Sequence, residues 1–389
     1  MTDALDAMLD DHHPTKVAAC EWASAELPDG AAMDARGEIS RAEWQVFADH
    51  GVLGSQVSPD LGGSFTSMVD ATLQYEGLGA STADNGLIFA AVSHAVAPVR
   101  AIAESATQAQ LERWFPALCD GSAFGSFAMS EPLAGSDPWA MTTTAVERPD
   151  GTWVLNGTKT WCTLGPIADV LVVFAMTAPE RGQWGVTAFI VPGDTPGLSR
   201  SDTIAKTGLR ACPFSEVVFD DCVLPADSVL GLPGAGAAIF TSTIEKERAL
   251  LYAAQIGAVG RVVELATEFA RARVQGGRHI GSHQAVAHRI VDVEAARQGA
   301  RLMLYRTAAR LDRGEPVLAD ATYTKIATAE WAIHGLVELI QTFGARGLMP
   351  ETGIERELRD ALAGLAFSGT PDVARNVAAA QLGLNRPAR

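Results

Sequence analysis

The feature that most constrains the fold is a central block of short strand-like runs, which lies between two helical regions. Between about residues 126 and 230, the runs Val170–Phe174, Val186–Val191 and Glu216–Phe219 are rich in β-branched and aromatic residues, and pairs such as Pro192–Gly193 separate them. About six short strands with tight turns and no helix between them indicate an antiparallel sheet or a small barrel. The pattern excludes a Rossmann sheet, in which strands alternate with helices.

Two turn signals lie inside this block. Pro149–Gly151 follows the run Thr142–Val146, and Asn156–Gly157 follows the run Trp153–Leu155. Such residues between strand-like runs are typical of β-hairpins. The sequence therefore predicts a hairpin turn at each place.

Helical patterns occupy the rest of the chain. Ser40 and Glu43 form a capping box that predicts a helix running to His50, and Phe89–Ser105 is rich in alanine and also helical. After about residue 233, apolar residues recur at intervals of three and four, which is typical of long helices in an antiparallel bundle. These positions are Val286, Ile290, Val293, Ala296, Ala300, Leu304, Leu311, Ile326, Ala329, Ile333, Val337 and Ile340.

The predicted fold class is therefore α+β with three domains. We expect an α-helical N-terminal domain at 1–125, an antiparallel β-barrel at 126–232 and a four-helix bundle at 233–389. The 30 basic and 46 acidic residues give a formal charge of −16, which argues against nucleic acid or an anionic membrane as partner.

Localisation is predicted from three further features. The first eleven residues carry no basic side chain, so they do not match the n-region of a secretory signal. No uncharged apolar run approaches the roughly 18 residues of a membrane span. The five cysteines include no Cys-x-x-Cys pair, which fits a reducing compartment, so the predicted location is cytoplasmic.

Several apparent motifs do not support a site. Gly234–Gly236 resembles part of a dinucleotide fingerprint but follows a polar loop and not a strand. His279, His283 and His288 lack the spacing that places two ligands on one face, so no metal site is predicted. There is no G-x-S-x-G sequence, so a hydrolase nucleophile is not supported.

Two segments of the central block have the residue types that bind a cofactor. The loop Phe127–Asp137 combines proline and glycine with the hydroxyls of Ser130 and Ser136, which suits a pyrophosphate or the edge of a planar heterocycle. The segment Asn156–Thr163 places an indole, that of Trp161, after a turn signal. Each segment alone is weak evidence for a cofactor site, since surface loops and core tryptophans are common. Together they are specific.

With this pair, the chain resembles the acyl-CoA dehydrogenase family, and the likeness continues through Ile190–Gly197, Glu216–Pro225 and the helical C-terminal region. The resemblance implies FAD between the barrel and the bundle, in a homotetramer or homodimer. It places Met129 and Ser130 at the isoalloxazine edge, Ser136 at the pyrophosphate, Trp161 and Thr163 at the flavin ring, Arg273 and Gln275 at the FAD of the neighbouring subunit, Gln341 and Gly344 at the adenosine end, and Thr370 also at the cofactor.

The family reaction needs a carboxylate base on one side of a thioester and the flavin on the other. Most members carry this glutamate in a Y-E-G-T sequence, where the present chain has Ser368. A minority carry it in an E-R sequence on the first long bundle helix, and this chain has Glu247 followed by Arg248 there. The resemblance therefore implies Glu247 as the catalytic base, with Arg248 and Ser368 at the substrate.

Helical periodicity supports this assignment independently. Glu247 shares one face with an apolar stripe, whereas Glu245 points nearly the opposite way. The stripe consists of Leu250, Leu251, Ala254, Ala258 and Leu265. A carboxylate on an apolar face is expected to have a raised pKa, which suits an acid–base role. The alternative is a capping or ion-pairing glutamate in the first turn of the helix.

Within the family, the chain is most similar to the L-prolyl-carrier-protein dehydrogenases, through Arg301–Arg306, Ile340–Gly344 and Phe367–Thr370. That likeness implies an aminoacyl or acyl thioester on a carrier protein in secondary metabolism, such as antibiotic biosynthesis. A free acyl-CoA is the alternative substrate, and an electron-transfer flavoprotein or dioxygen is the expected acceptor. Departures from the family pattern are Leu133, Gly276, Arg346 and Pro371.

Two other functions remain open at this stage. Because serine replaces the usual glutamate at position 368, a flavin-dependent monooxygenase on the same fold is possible. A catalytically silent protein that binds a thioester or a carrier protein would also keep the fold. Reduction of the flavin by substrate without oxygen separates the dehydrogenase from both.

Overall fold

The computed structural model describes residues 9–384, so the expectations for residues 1–8 and 385–389 lie outside it. The first helical region is confirmed. Ser40 Oγ accepts from Glu43 N at 3.2 Å and Glu43 Oε2 accepts from Ser40 N at 2.8 Å, which is the predicted capping box. The helices of this region are Pro14–Glu26, Gly30–Arg36, Arg41–Asp49, Met68–Ala80, Asn85–His94, Arg100–Ser105 and Gln108–Cys119, with a π-helical turn at Ala95–Val99.

The central block folds into a mainly antiparallel sheet, as predicted. Its strands are β1 (Gly125–Ala128), β2 (Thr144–Glu147), β3 (Trp153–Thr163), β4 (Val170–Met176), β5 (Val186–Pro192), β6 (Leu198–Arg200), β7 (Phe214–Leu224) and β8 (Val229–Leu230). The order is β6-β7-β3-β2-β4-β5-β8, and β1 pairs with β4 in parallel. No pairing between β6 and β8 closes the sheet among residues 9–384, so the closed barrel stays a prediction.

One of the two predicted hairpin turns is wrong. The turn at Pro149–Gly151 joins β2 to β3 as expected, because the two strands pair antiparallel from Thr144↔Asn156 to Glu147↔Trp153. Asn156–Gly157, in contrast, lies inside β3 at a register shift against β7. Gly157 has φ of 145° and its Cα approaches Thr143 too closely for a side chain, so glycine marks a bulge here and not a turn.

The C-terminal region is helical, with its long helices in contact with one another. Its helices are Gly236–Leu250, Tyr252–Ala272, Gln284–Asp312, Leu318–Phe343, Ile354–Ala361 and Pro371–Gln381. The first long helix is interrupted at Leu251. Glu247 lies near the end of the first segment, so its predicted place in the opening turn is wrong, and the alternative of a first-turn cap is wrong with it.

The N-terminal helices and the bundle share one hydrophobic core. Trp44 and Leu87 from the first region belong to the same cluster of buried side chains as Leu250, Ala300 and Leu304 from the last. The helices Met68–Ala80 and Tyr252–Ala272 approach so closely that a Cβ on Gly79 would lie 1.8 Å from Ala254 O. Glycine is required there because no side chain fits between the two backbones.

Two helical segments, Asn85–Ser105 and Gly236–Ala272, are long and apolar enough to cross a membrane by length and composition alone. In the fold, 83% and 67% of their most apolar windows are buried by other parts of the chain. Both therefore serve as core helices, which explains their apolar character without a membrane.

Candidate active site

Glu247 is buried against the core and not turned to water, with 8% of its surface exposed. Leu250, Leu251 and Ala258 of the predicted stripe are buried with it, whereas Leu265 is 37% exposed and does not belong to the buried face. Leu251 keeps right-handed helical angles (φ −63°, ψ −24°), so the helical phase continues through it, and nothing in the structure explains the exposure of Leu265. Burial raises the pKa of the Glu247 carboxyl, while a hydrogen bond from Ser368 opposes the shift.

Ser368 and Arg248 both lie beside Glu247. Ser368 Oγ donates to Glu247 Oε1 at 2.5 Å, and Arg248 Nε donates to the Ser368 carbonyl at 2.9 Å. Ser368 has φ of 55°, a left-handed conformation that is uncommon for a residue with a side chain. The strained backbone aims the hydroxyl at the carboxylate, so the residue that replaces the usual glutamate contacts the one proposed to act in its place.

The hydrogen bond from Ser368 predicts a pH effect. A donor to the carboxylate favours its charged form, so Ser368→Ala should raise the pKa of Glu247. We expect the acidic limb of the rate of flavin reduction to move up by about one pH unit. Stopped-flow absorbance across a pH series measures it, with the exposed Ser199→Ala as control. An unmoved limb would show that the bond does not control the ionisation of Glu247.

The two cofactor-binding segments predicted from the sequence lie side by side. Thr160 N donates to Ser130 O at 2.9 Å, and Ser126 Oγ donates to Thr163 O at 2.7 Å. These bonds bring Met129, Ser130, Trp161 and Thr163 together where the segment after β1 meets the last residues of β3. We call this surface, at the ends of the two strands, the edge of the sheet. The edge is therefore a fixed surface and not a pair of independent loops.

A buried ion pair holds this edge. Lys159 Nζ lies 2.9 Å from Glu131 Oε1 and also donates to Met129 O at 3.0 Å. Glu131 further accepts from the backbone N–H groups of Thr142 at 2.6 Å and Thr143 at 2.9 Å. Burial alone would raise the pKa of Glu131, but Lys159 and these donors lower it to about 2. The carboxylate is thus ionised in the folded protein at ordinary pH.

Trp161 is not a core residue. Its indole is 60% exposed, and its backbone has φ of 58°. The left-handed backbone holds this large apolar ring in water, beside a hydrogen-bonded loop. Such a ring can stack on the face of a planar aromatic ligand. Trp161, Met129 and the Ser130 hydroxyl therefore fit the flavin of FAD, which is the group implied by the sequence resemblance.

Four of the remaining predicted cofactor residues lie in two other places, while Ser136 is exposed in the loop before β2. Arg273 and Gln275 belong to a short antiparallel hairpin after the helix Tyr252–Ala272, and both are exposed. Gln341 and Gly344 lie at the end of the helix Leu318–Phe343. Among residues 9–384, no hydrogen bond joins these four to the edge formed by Met129 and Trp161. A role at the FAD of a neighbouring subunit therefore stays a prediction.

Two of the four departures from the family pattern, Gly276 and Pro371, have a structural explanation, and Arg346 is exposed in the short helical turn Gly344–Leu348. Gly276 has φ of 59° in the turn of the hairpin, where phenylalanine would be strained. Pro371 is the first residue of the helix Pro371–Gln381, a position that suits proline, and Thr370 caps this helix through Val373 N. Leu133 is 92% exposed next to Ser136, and nothing in the structure explains it.

A cavity of about 50 Å³ is lined by Leu251 and Phe367, which are close in sequence to Glu247 and Ser368, although neither Glu247 nor Ser368 lines it. One side is apolar, and the far end is closed by Asn85, Glu357 and Asp360. Asn85 Nδ2 donates to Glu357 Oε2 at 2.6 Å. The apolar lining consists of Phe89, Val92, Leu209, Leu251, Ala254, Ala258, Val259, Leu336, Ala361 and Phe367.

A separate surface groove of about 370 Å³ runs along the other face of the helix Gly236–Leu250, where Glu245 points. Trp139, Gln183 and Trp184 line its opposite wall. Glu245 Oε1 also accepts from Val317 N at 2.8 Å. The predicted opposition of Glu245 and Glu247 across the helix is confirmed.

Sequence reasoning missed two buried polar residues near Glu247. Lys325 and Tyr252 lie beneath the loop that carries Ser368, and Lys325 Nζ donates to Tyr252 OH at 2.6 Å. A lysine between the apolar positions of a bundle helix was the available signal. Within the described part of the chain, no group of His, Cys, Asp and Glu residues is arranged to hold a metal ion.

Three comparisons bear on the origin of this arrangement. Models of the N-terminal, middle and C-terminal domains of acyl-CoA dehydrogenases match residues 10–122, 126–222 and 234–383. An L-prolyl-(peptidyl-carrier protein) dehydrogenase of Pseudomonas fluorescens is 37% identical over 342 residues, which are 88% of this chain and 90% of the relative.

Solved structures agree with these matches. The structure described as "PigA with FAD and proline" has a TM-score of 0.93 and 33% identity, covering 97% of this chain and 98% of its own. The structure described as the "Prolyl Acyl Carrier Protein Oxidase AnaB" has a TM-score of 0.93 and 34% identity, covering 96% of this chain and 99% of its own.

Proposed function

The chain belongs to the acyl-CoA dehydrogenase family, and from this premise we propose that it oxidises an L-prolyl or similar small aminoacyl thioester carried by a carrier protein, with FAD as cofactor. The names of the relatives that match nearly the whole chain, which refer to prolyl groups on carrier proteins and to FAD, support this substrate and cofactor. The observation that carries the proposal is the buried carboxylate of Glu247, which accepts a hydrogen bond from Ser368, the residue that replaces the usual glutamate.

The proposed chemistry assigns one task to each group. Glu247 removes the proton from the carbon next to the thioester carbonyl, and burial raises the pKa of this carboxyl, which makes it a stronger base than an exposed glutamate. Ser368 holds the carboxylate in place, and Arg248 holds the backbone of Ser368. Bound FAD supplies the acceptor for the hydride that leaves the neighbouring carbon. Loss of the proton and of the hydride with its two electrons would leave a carbon–carbon double bond in the thioester.

The proposed cofactor contacts come from the fixed edge described above. Trp161 and Thr163 would contact the ring system, Met129 and Ser130 its edge, and Ser136 the pyrophosphate. Arg273 and Gln275 would reach the FAD of a neighbouring subunit in a homodimer or homotetramer, Gln341 and Gly344 would hold the adenosine end, and Thr370 would also contact the cofactor. The exposed hairpin that carries Arg273 and Gln275 is free to contact another copy.

The proposal extends to organisation and context. The three matched ranges support domain limits near residues 125 and 232, and a closed barrel would complete the middle domain. The naming of AnaB as an oxidase supports dioxygen as the electron acceptor, with an electron-transfer flavoprotein as the alternative. Secondary metabolism in the cytoplasm is the proposed setting. No observation favours the monooxygenase or the silent binding protein over the dehydrogenase.

A single anaerobic experiment tests this function. The purified enzyme is mixed with a carrier protein that bears an L-prolyl thioester, and in parallel with L-prolyl-CoA, while the flavin absorbance is recorded. We expect the prolyl carrier protein to bleach the flavin much faster than the CoA thioester does. Equal rates would indicate a free acyl-CoA substrate. No bleaching, together with a hydroxylated product when reductant and oxygen are added, would overturn the proposal in favour of a monooxygenase.

A further inference from the structure

A lysine lies buried beneath the loop that carries Ser368. Lys325, on the helix Leu318–Phe343, has no exposed surface. Its Nζ donates to Gly364 O at 2.9 Å, to Phe367 O at 3.0 Å and to Tyr252 OH at 2.6 Å. An ammonium group has three N–H donors, and these three acceptors match all of them. The side chain is therefore fully used within the protein and fixed in one position.

The groups that Lys325 contacts also set the position of the proposed base. Tyr252 OH donates to Gly364 O at 2.9 Å, so the loop is bonded to the helix Tyr252–Ala272, which begins five residues after Glu247. From the other side, Arg248 Nε holds the Ser368 carbonyl. The loop from Gly364 to Ser368 is thus held by Lys325 below and Arg248 beside it, and its Ser368 hydroxyl projects to Glu247.

We propose that Lys325 is a positioning residue for the dehydrogenation, which fixes the loop so that Ser368 meets Glu247 and which places a positive charge behind that carboxylate. The inference rests on the proposed function, because it assigns to Lys325 an effect on the base of that reaction. Lys325 does not touch the substrate cavity, so its effect reaches the chemistry only through the loop and through its charge.

The charges around Lys325 are few, which makes its own charge important. Within residues 9–384, the facing titratable groups are Glu247, Arg248 and Tyr252, and the loop contributes carbonyl oxygens and the ring of Phe367, 5.4 Å from Nζ. Burial lowers the pKa of Lys325 to about 7, Arg248 acts in the same direction and Glu247 opposes both. Lys325 in turn helps to lower the pKa of Glu247 against the effect of burial.

The variant Lys325→Met tests the inference in the FAD-loaded enzyme. Without the positive charge the ionised form of Glu247 is less stable, so we expect the acidic limb of the rate of flavin reduction to move up by about one pH unit. We also expect the maximal rate to fall by about tenfold or more, because the loop loses its support. The measurements are stopped-flow flavin absorbance across a pH series, the melting temperature and FAD retention.

Thr328→Val is the matched control, since Thr328 is fully buried one turn along the same helix and its hydroxyl has no hydrogen-bond partner among the described residues. It should leave the pH limb unchanged. If Lys325→Met lowers only the melting temperature and keeps the limb and rate of the wild type, Lys325 is merely structural and the inference is overturned. If Lys325→Met does not fold, the variant Tyr252→Phe replaces it as the test. The acidic limb of the rate of flavin reduction must then move in the same direction by a smaller amount, and an unmoved limb overturns the inference.

A failure of the proposed function is distinguishable from a failure of this inference. If no thioester bleaches the wild-type flavin, the function is wrong, and the absorbance of the substrate-free holoenzyme is then titrated with pH. The transition that is lost in Glu247→Gln reports the ionisation of Glu247. That transition occurs at higher pH in Lys325→Met if the inference is right. An unchanged transition, or none that depends on Glu247, overturns it.

Discussion

We expect the Glu247→Gln enzyme to bind FAD normally while its flavin is no longer reduced by the thioester. An amide of the same shape cannot accept the proton from the carbon next to the carbonyl, so the rate of reduction should fall by about a thousandfold or more. The amide keeps the volume of the side chain and can still accept the hydrogen bond from Ser368. Fold and cofactor content should therefore change little.

Anaerobic stopped-flow absorbance measures this loss, and the ratio of flavin to protein absorbance shows that FAD is retained. Glu264→Gln is the matched control, because Glu264 is an exposed glutamate on the next helical segment. The control should reduce its flavin at the wild-type rate. Wild-type reduction in Glu247→Gln would mean that another group is the base, and the proposed role of Glu247 would be wrong.

The second large effect is expected at the ion pair that holds the edge of the sheet. Lys159→Met leaves the Glu131 carboxylate buried without its cation, and the free energy of unfolding should fall by about 3–5 kcal/mol. Because Lys159 also holds the Met129 carbonyl, FAD should dissociate more readily. Chemical denaturation followed by circular dichroism measures the stability, and ultrafiltration followed by absorbance measures the FAD that remains.

The double variant Glu131→Gln with Lys159→Met separates charge from packing. It removes the uncompensated carboxylate, so it should be more stable than Lys159→Met alone. Since the pKa of Glu131 is lowered to about 2, its contribution to stability is present above the ordinary glutamate pKa and is lost as the pH falls towards 2. Lys159→Met should remove this part of the acid sensitivity. Equal stability of the single and double variants would contradict a charge effect.

The sequence predicted the architecture well because its signals were local. The capping box at Ser40 and the runs that became β4 and β5 depend on neighbours in the chain, and the structure has both. The error at Asn156–Gly157 has the opposite origin. A glycine in a bulge and a glycine in a turn look the same in sequence, and only the approach of Thr143 from another strand distinguishes them.

Single helical faces and short motifs predicted part of the candidate site. The spacing around Glu247 predicted a buried carboxylate, which the structure has, but it also assigned Leu265 to the buried face, and 37% of its surface is exposed. The bond between Ser368 and Glu247 spans 121 positions, and the support from Lys325 comes from a third segment. No spacing rule links residues so far apart, so these contacts became visible only in the fold.

The hydrophobic core that Trp44 shares with Ala300 and Leu304 has a consequence for synthesis on the ribosome. The first 125 residues emerge long before the segments that cover their apolar faces, so this part of the nascent chain cannot reach its final state alone. We expect it to need a chaperone, or to wait in a partly ordered form, until about residue 321 has left the exit tunnel. The predicted boundary near residue 125 therefore marks a change of sequence pattern. We do not expect the residues before it to fold as an independent cooperative unit.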